Sequence, residues 1–161
     1  MTDLRVGHGF DIHPWSDDPD RLLVLGGIGF DGHRGLAGHS DADVVAHACT
    51  DALLGAAALG DIGSFFPDTD PSLAGADSIE LLRTAVAALA EGDWIPVNVD
   101  CTLVLDAPKL APRRAEMETR LSGAIGAPVT VKGKRTEGIG AFGEGIQCWA
   151  VALVRSRGAA P

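Results

Sequence analysis

SDADVVAHACTDALLGAAALG, residues 40–60, decides the fold. Val44, Val45, Ala48, Ala52, Leu53 and Ala56 recur at helical spacing and make the face of a core helix. The spacing predicts a helix over about 41–59, with Ser40 as N-cap and Asp43 completing a variant capping box. Gly60 is the expected residue just past its end. Within this apolar stretch Asp43, His47 and Asp51 recur every four residues, which stacks them on one helix face. The plain reading of that stripe is a solvated side with His47 as a bystander.

Working outward, LRVGHGFDIH (4–13) reads as a strand, with glycines where another element packs close. RLLVLGG (21–27) reads as a short second strand, and 28–35 as hairpin or loop. Residues 60–77 form a long loop rich in Gly, Pro and Asp, the kind that often carries function. Ser78 is the expected cap of a helix ending at Gly92. A long strand over 93–106, an amphipathic helix over 112–126 and strands over 128–135 and 146–155 complete the pattern. One domain spanning 1–161 is expected, of α+β class: a two-layer α/β sandwich with one mixed sheet covered by helices on one face. The last strand, IQCWAVALV, is apolar on both faces, which points to burial against another subunit.

At 46% hydrophobic and 22% charged, the chain reads as soluble and globular. No apolar run reaches the roughly 20 residues that span a bilayer. MTDLRVGHGF lacks the pattern of a signal peptide, and Cys49, Cys101 and Cys148 stand singly, so free thiols in a reducing cytoplasm are expected. A net charge of −9 argues against nucleic acid or an anionic membrane as partner. A small anionic ligand is compatible if metal ions or helix N-termini offset its charge.

The chemistry begins in FDIH. Asp11 and His13 are two apart on a strand, so both leave the same face. With His47 from the helix they form an O,N,N set that zinc accepts while keeping a fourth position open. Asp51 is then the candidate acceptor for the other ring N–H of His47. His8 shares strand phase with Val6, Phe10 and Ile12 and reads as a packed core histidine; His33 reads as an exposed loop residue. His39, before Ser40, sits where a helix N-terminus suits a phosphate. Asp61, Asp68 and Asp70 read first as turn and cap residues. Glu137 follows a Lys-Gly-Lys-Arg run, either a solvated tip or an anion-contacting loop whose carboxylate holds Mg²⁺.

GHGFDIH (7–13), residues 38–70, GADS (75–78), APKLAP (107–112) and TEG…GEGI (136–146) together resemble the 2-C-methyl-D-erythritol 2,4-cyclodiphosphate synthase family, over almost the whole chain. The resemblance implies a homotrimer, with sheets packed around its axis and an active site at each subunit interface. It implies cyclisation of 4-diphosphocytidyl-2-C-methyl-D-erythritol 2-phosphate with release of CMP, in the non-mevalonate isoprenoid pathway. It places zinc on Asp11, His13 and His47, and a second cation, magnesium or manganese, on Glu137. It gives His39 and Ser40 to phosphate, with His39 aiding the transition state. Asp61, Ile62, Gly63, Phe66, Pro67, Asp68, Thr69 and Asp70 would bind the methylerythritol part. Leu105, Ala107, Pro108, Lys109 and Leu110 would line the cytidine pocket, with Lys134 nearby contacting substrate.

Two departures stand out. Where many relatives carry threonines before the glutamate, this chain reads Gly133, Lys134, Arg135, Thr136, Glu137, so a catalytic role falls to Arg135 or the adjacent Thr136. In the last loop Phe142 stands where relatives carry an arginine facing a central channel, so an apolar channel without that anion site is expected. The rival readings are a non-catalytic zinc-binding trimer and a zinc-dependent phosphoesterase. The cytidine-pocket motif disfavours the phosphoesterase, and the intact polar residues disfavour the non-catalytic trimer.

Overall fold

The computed structural model describes residues 3–158. Strand β1 (Leu4–Pro14) leads to a small hairpin, β2 (Leu23–Leu25) and β3 (Ile28–Phe30). Then come α1 (Val44–Ala57), the single turn α2 (Ile62–Phe65) and α3 (Ser78–Glu91). The chain finishes with β4 (Trp94–Val104), α4 (Arg114–Ile125), β5 (Val129–Lys134) and β6 (Gly145–Ser156). The main sheet has order β1-β6-β4-β5, antiparallel except for the parallel β4–β5 pair, so it is mixed as expected.

The register aligns Gly9, Ala150 and Cys101 across three strands, and Asp11, Cys148 and Leu103 beside them. That face is covered by helices. Helix α1 lies directly on β1 and β6 and is buried nearly all round, because α3 packs on its outer side. The close approach is set by two glycines. A Cβ on Gly7 would lie 1.9 Å from the Ala52 carbonyl oxygen, and one on Gly9 would lie 2.1 Å from that of Ala48. This is the reason for the glycines in β1, as the sequence indicated.

The start of α1 differs from expectation. It begins at Val44, and its N-cap is Asp43 rather than Ser40. The fully buried Asp43 carboxylate accepts from the N–H groups of Val45 and Ala46, and also from Gly26 and Gly27 at 2.8 and 2.6 Å. Both glycines have positive φ, as a two-residue hairpin turn requires, and the turn presents their N–H groups to the carboxylate. Burial, with the neighbouring Asp41 charge, raises the Asp43 carboxyl above its ordinary value despite these donors. Asp43 therefore ties α1 to the β2–β3 hairpin and is not part of a helix-face stripe. At the other end Ala58 takes the left-handed conformation, so α1 ends before Gly60. Helix α3 is capped by Asp77, which accepts from Ile79, and not by Ser78.

The opposite sheet face is uncovered. Leu4, Val6, Phe10, Ile12 and Val151 are 42–67% exposed there. His8 lies on this face and is exposed, which corrects its reading as a core histidine; alternation placed it with apolar neighbours, but no helix covers them. Cys49, Cys101 and Cys148 are buried and free. Among the described residues no helix is long and apolar enough to cross a membrane.

Candidate active site

Asp11 and His13 leave the helix-covered face near the end of β1, and His47 lies one turn into α1, its N–H bonded to the Asp43 carbonyl at 3.0 Å. Because α1 rests on the glycines of β1, the three side chains converge. Asp11 Oδ2 is 2.9 Å from His47 Nδ1 and 3.0 Å from His13 Nε2, and the two ring nitrogens are 3.2 Å apart. Donor atoms held about 2.0–2.2 Å from one ion at tetrahedral angles are about 3.3–3.6 Å from each other. The three separations are a few tenths of an ångström shorter than that, so a small outward shift of the side chains would seat an ion among them.

The outer ring nitrogens show which inner ones are bare. His13 Nδ1 is 2.7 Å from the Ala37 carbonyl, which only accepts, so His13 donates there and its Nε2 lone pair faces the cluster. Burial opposes the Asp11 charge, but when both rings are protonated the hydrogen bonds they donate and their positive charges outweigh it and hold its carboxyl well below the usual range. Burial likewise lowers His13, but the Asp11 hydrogen bond and charge prevail and raise it.

The expected role of Asp51 does not hold. Its carboxylate accepts from the Ile62 N–H at 3.2 Å, anchoring the loop after α1. The outer nitrogen of His47 instead meets Ser78 Oγ at 2.8 Å and Ser40 Oγ at 3.1 Å. A position four residues on from His47 lies further along the helix, whereas Nε2 points across to α3. Ser78 and its neighbour Asp41 were missed because they are 37 residues apart and nothing local pairs them.

A cavity of about 300 Å³ opens beside the cluster. His13 and His47 line it, with His39, Ser40, Ile62, Phe66 and Asp68 from the expected set. Leu73 and Leu81 complete its apolar side and were not anticipated. Other loop residues have structural roles. Asp61 caps α2 through a reciprocal pair with Ser64, and the Asp70 carboxylate accepts from Ser72 while its carbonyl lies 2.9 Å from His39 Nε2. Gly63, Pro67 and Thr69 are exposed and do not line the cavity.

A second cavity, about 280 Å³, lies at the carboxyl ends of the parallel strands β4 and β5, the end where open α/β sheets bind ligands. Leu105, Pro108 and Leu110 give it apolar walls, and Lys109, Lys134 and Arg135 bring cations to it, as does the unanticipated Arg114. Ala107 lies outside it, in a small depression with Trp15 and Arg34. Thr136 is buried and donates its hydroxyl to Asp106 at 2.6 Å. The Arg135 side chain is 75% exposed, with Nε 3.7 Å from the same carboxylate. Glu137 is exposed at φ 52° and makes no ion pair among the described residues.

The two cavities share no residue. β1 and β5 are opposite edges of the sheet, three strand spacings or roughly 14 Å apart.

Residues 4–155 match the model of the YgbB family. The chain belongs to that family. It is 52% identical to the 2-C-methyl-D-erythritol 2,4-cyclodiphosphate synthase of Dechloromonas aromatica (strain RCB) over 160 residues, 96% of this chain and 99% of that protein. A solved 2C-methyl-D-erythritol-2,4-cyclodiphosphate synthase, described as the form bound to CDP, superimposes with TM-score 0.85 at 37% identity, covering 93% of this chain and 99% of that one. The bifunctional IspDF from Campylobacter jejuni superimposes with TM-score 0.90 at 34% identity, covering 97% of this chain, which spans 43% of that longer protein. This chain spans nearly the whole length of those two synthases.

Proposed function

We propose that this chain converts 4-diphosphocytidyl-2-C-methyl-D-erythritol 2-phosphate into 2-C-methyl-D-erythritol 2,4-cyclodiphosphate with release of CMP. The observation that carries this reading is the convergence of Asp11, His13 and His47, with all three donor atoms within 3.2 Å of one another beside a cavity. An oxygen of the 2-phosphate attacks the β-phosphorus of the diphosphate. The bond from that phosphorus to the bridging oxygen breaks, and CMP leaves with the oxygen and its electron pair.

Asp11, His13 and His47 are the residues that would hold zinc, and Glu137 would hold magnesium or manganese with substrate phosphate oxygens. Bound cations would supply charge neutralisation to phosphates that otherwise repel each other and the acidic chain. The remaining work is positioning, which dominates phosphoryl transfer. Ser40 and His39 hold phosphate oxygens at the mouth of the first cavity, and Ile62 and Phe66 pack the methylerythritol carbon skeleton. In the second cavity Leu105, Pro108 and Leu110 hold the cytosine ring while Lys109 and Lys134 draw in the diphosphate. Arg135 stabilises developing charge in place of a threonine.

A single substrate has to reach both cavities. We place the second cavity of one chain against the first cavity of its neighbour in a homotrimer, an arrangement supported by the uncovered apolar sheet face. The free thiols support a cytoplasmic setting. ³¹P NMR of purified protein with the substrate and Mg²⁺ tests the reaction. Cyclic diphosphate plus CMP is the expected outcome. Inorganic phosphate would indicate hydrolysis, and an unchanged spectrum would indicate a binding protein.

A further inference from the structure

We propose that Asp41 and Ser78 are positioning residues that fix the tautomer of His47, so that a lone pair and not a proton faces Asp11 and His13. The inference rests on the metal reading above and adds the device that prepares one of its ligands.

Three donors converge on the Asp41 carboxylate. The Asp41 carboxylate accepts from two backbone groups, Asp43 N–H at 3.1 Å on Oδ1 and Ser78 N–H at 3.2 Å on Oδ2. It also takes the Ser78 hydroxyl in a short contact at Oδ1. A carboxylate accepts only, so the single hydroxyl proton of Ser78 goes to Asp41. Ser78 Oγ is left with lone pairs, and 2.8 Å away lies His47 Nε2, which is therefore the donor. A ring that carries its proton on Nε2 has a bare Nδ1 when neutral, and Nδ1 is the atom in the cluster.

The opposite tautomer has its own attraction. Asp11 Oδ2, 2.9 Å from Nδ1, would accept a proton held there, and such a proton would block a metal bond. The Asp41–Ser78 pair counteracts that pull from the far side of the ring. Ser78 is fully buried and Ser40 nearly so, so water does not substitute for the relay. Capping does not account for the Ser78 hydroxyl either, because Asp77 supplies the side-chain cap of α3. Ser40 Oγ, 3.1 Å from Nε2 and 3.3 Å from Ser78 Oγ, is a longer partner on the same side; with its own proton given to a Ser78 lone pair, it too accepts from Nε2.

The test is ¹⁵N NMR of metal-free, histidine-labelled protein in a pH series carried upward until the His47 signals stop moving. The wild-type His47 is expected with its proton on Nε2. Ser78→Ala should move population to the Nδ1–H form and weaken zinc binding, measured by chelator competition, about 10–100-fold. Ser78→Thr, which keeps the hydroxyl, should restore both. Circular dichroism of each variant separates this from unfolding, and the wild-type tautomer decides the question even if no variant folds. A wild-type His47 protonated mainly on Nδ1, or a folded Ser78→Ala protein binding zinc within about twofold of wild type, would overturn the proposal. Wild-type protein that carries the Nε2 proton but binds no zinc would instead overturn the metal reading.

Discussion

His13 Nε2 lies 3.2 Å from His47 Nδ1, with Asp11 Oδ2 within 3.0 Å of both. Neutral imidazoles do not turn two lone pairs on each other unless a cation or proton lies between them. Replacing His47 with Ala removes one of three donors. Zinc content by elemental analysis should fall from near one per chain to trace, and turnover should drop by more than about a hundredfold. Full metal content in that variant would exclude the assignment.

Protons and metal compete for the same atoms, and the His13 shift sets where. His13 is raised above 6.5, so a proton occupies it at higher pH than it would a free imidazole. Zinc affinity, measured by competition titration, should therefore begin to weaken above pH 6.5 as pH falls. In metal-free protein the same pair has a stability window. The Asp11 carboxyl is lowered from 3.8, so its contribution is present above that pH and lost as pH falls through the folded value. The His13 contribution is full below 6.5 and lost as pH rises through its raised folded value. Denaturant midpoints of metal-free protein should be highest between these limits.

Gly9 places α1 over the metal ligands. Gly9→Ala adds a Cβ that would sit 2.1 Å from a backbone oxygen, and no rotamer relieves it. Denaturation should show a loss of about 3 kcal/mol, and zinc affinity should fall because His47 moves away from Asp11.

Asp43→Ala leaves the buried N–H of Gly26 and the half-buried N–H of Gly27 without an acceptor and removes the cap of α1. A cost of about 3–5 kcal/mol is expected in chemical denaturation. A loss under about 1 kcal/mol would show that water reaches these groups.

Val151 lies in the middle of the uncovered sheet face, opposite His8 and near the Phe10 and Trp149 rings, which meet at a tilt of 43°. Val151→Asp should leave the chain folded but shift sedimentation from trimer to monomer. Activity should fall with it, since each cavity would lose its counterpart. A monomeric wild type with full activity would refute the shared site.

Much of the site was legible in the primary structure because its signals are local. Two-residue alternation put Asp11 and His13 on one face, and the glycines of β1 indicated an element packed close against it. His47 followed from its place near the start of that helix. The residues expected in the second cavity came from the family resemblance alone, since no spacing rule marks them. Misreadings occurred where a side chain had a distant alternative. Asp43 suited a helix-face stripe, but the hairpin glycines needed its carboxylate. Asp51 suited His47 by spacing, but the loop at Ile62 took it.

By itself the sequence determined the main strands and long helices, the sheet-and-helix class and three residues able to ligate a cation, because periodicity and residue chemistry act over a few positions. Only the tertiary structure decided which partner each polar group found. Ser78 and Asp41 reach His47 because α3 packs across α1, and hydrogen bonding is settled by proximity in space once burial has removed water as the alternative.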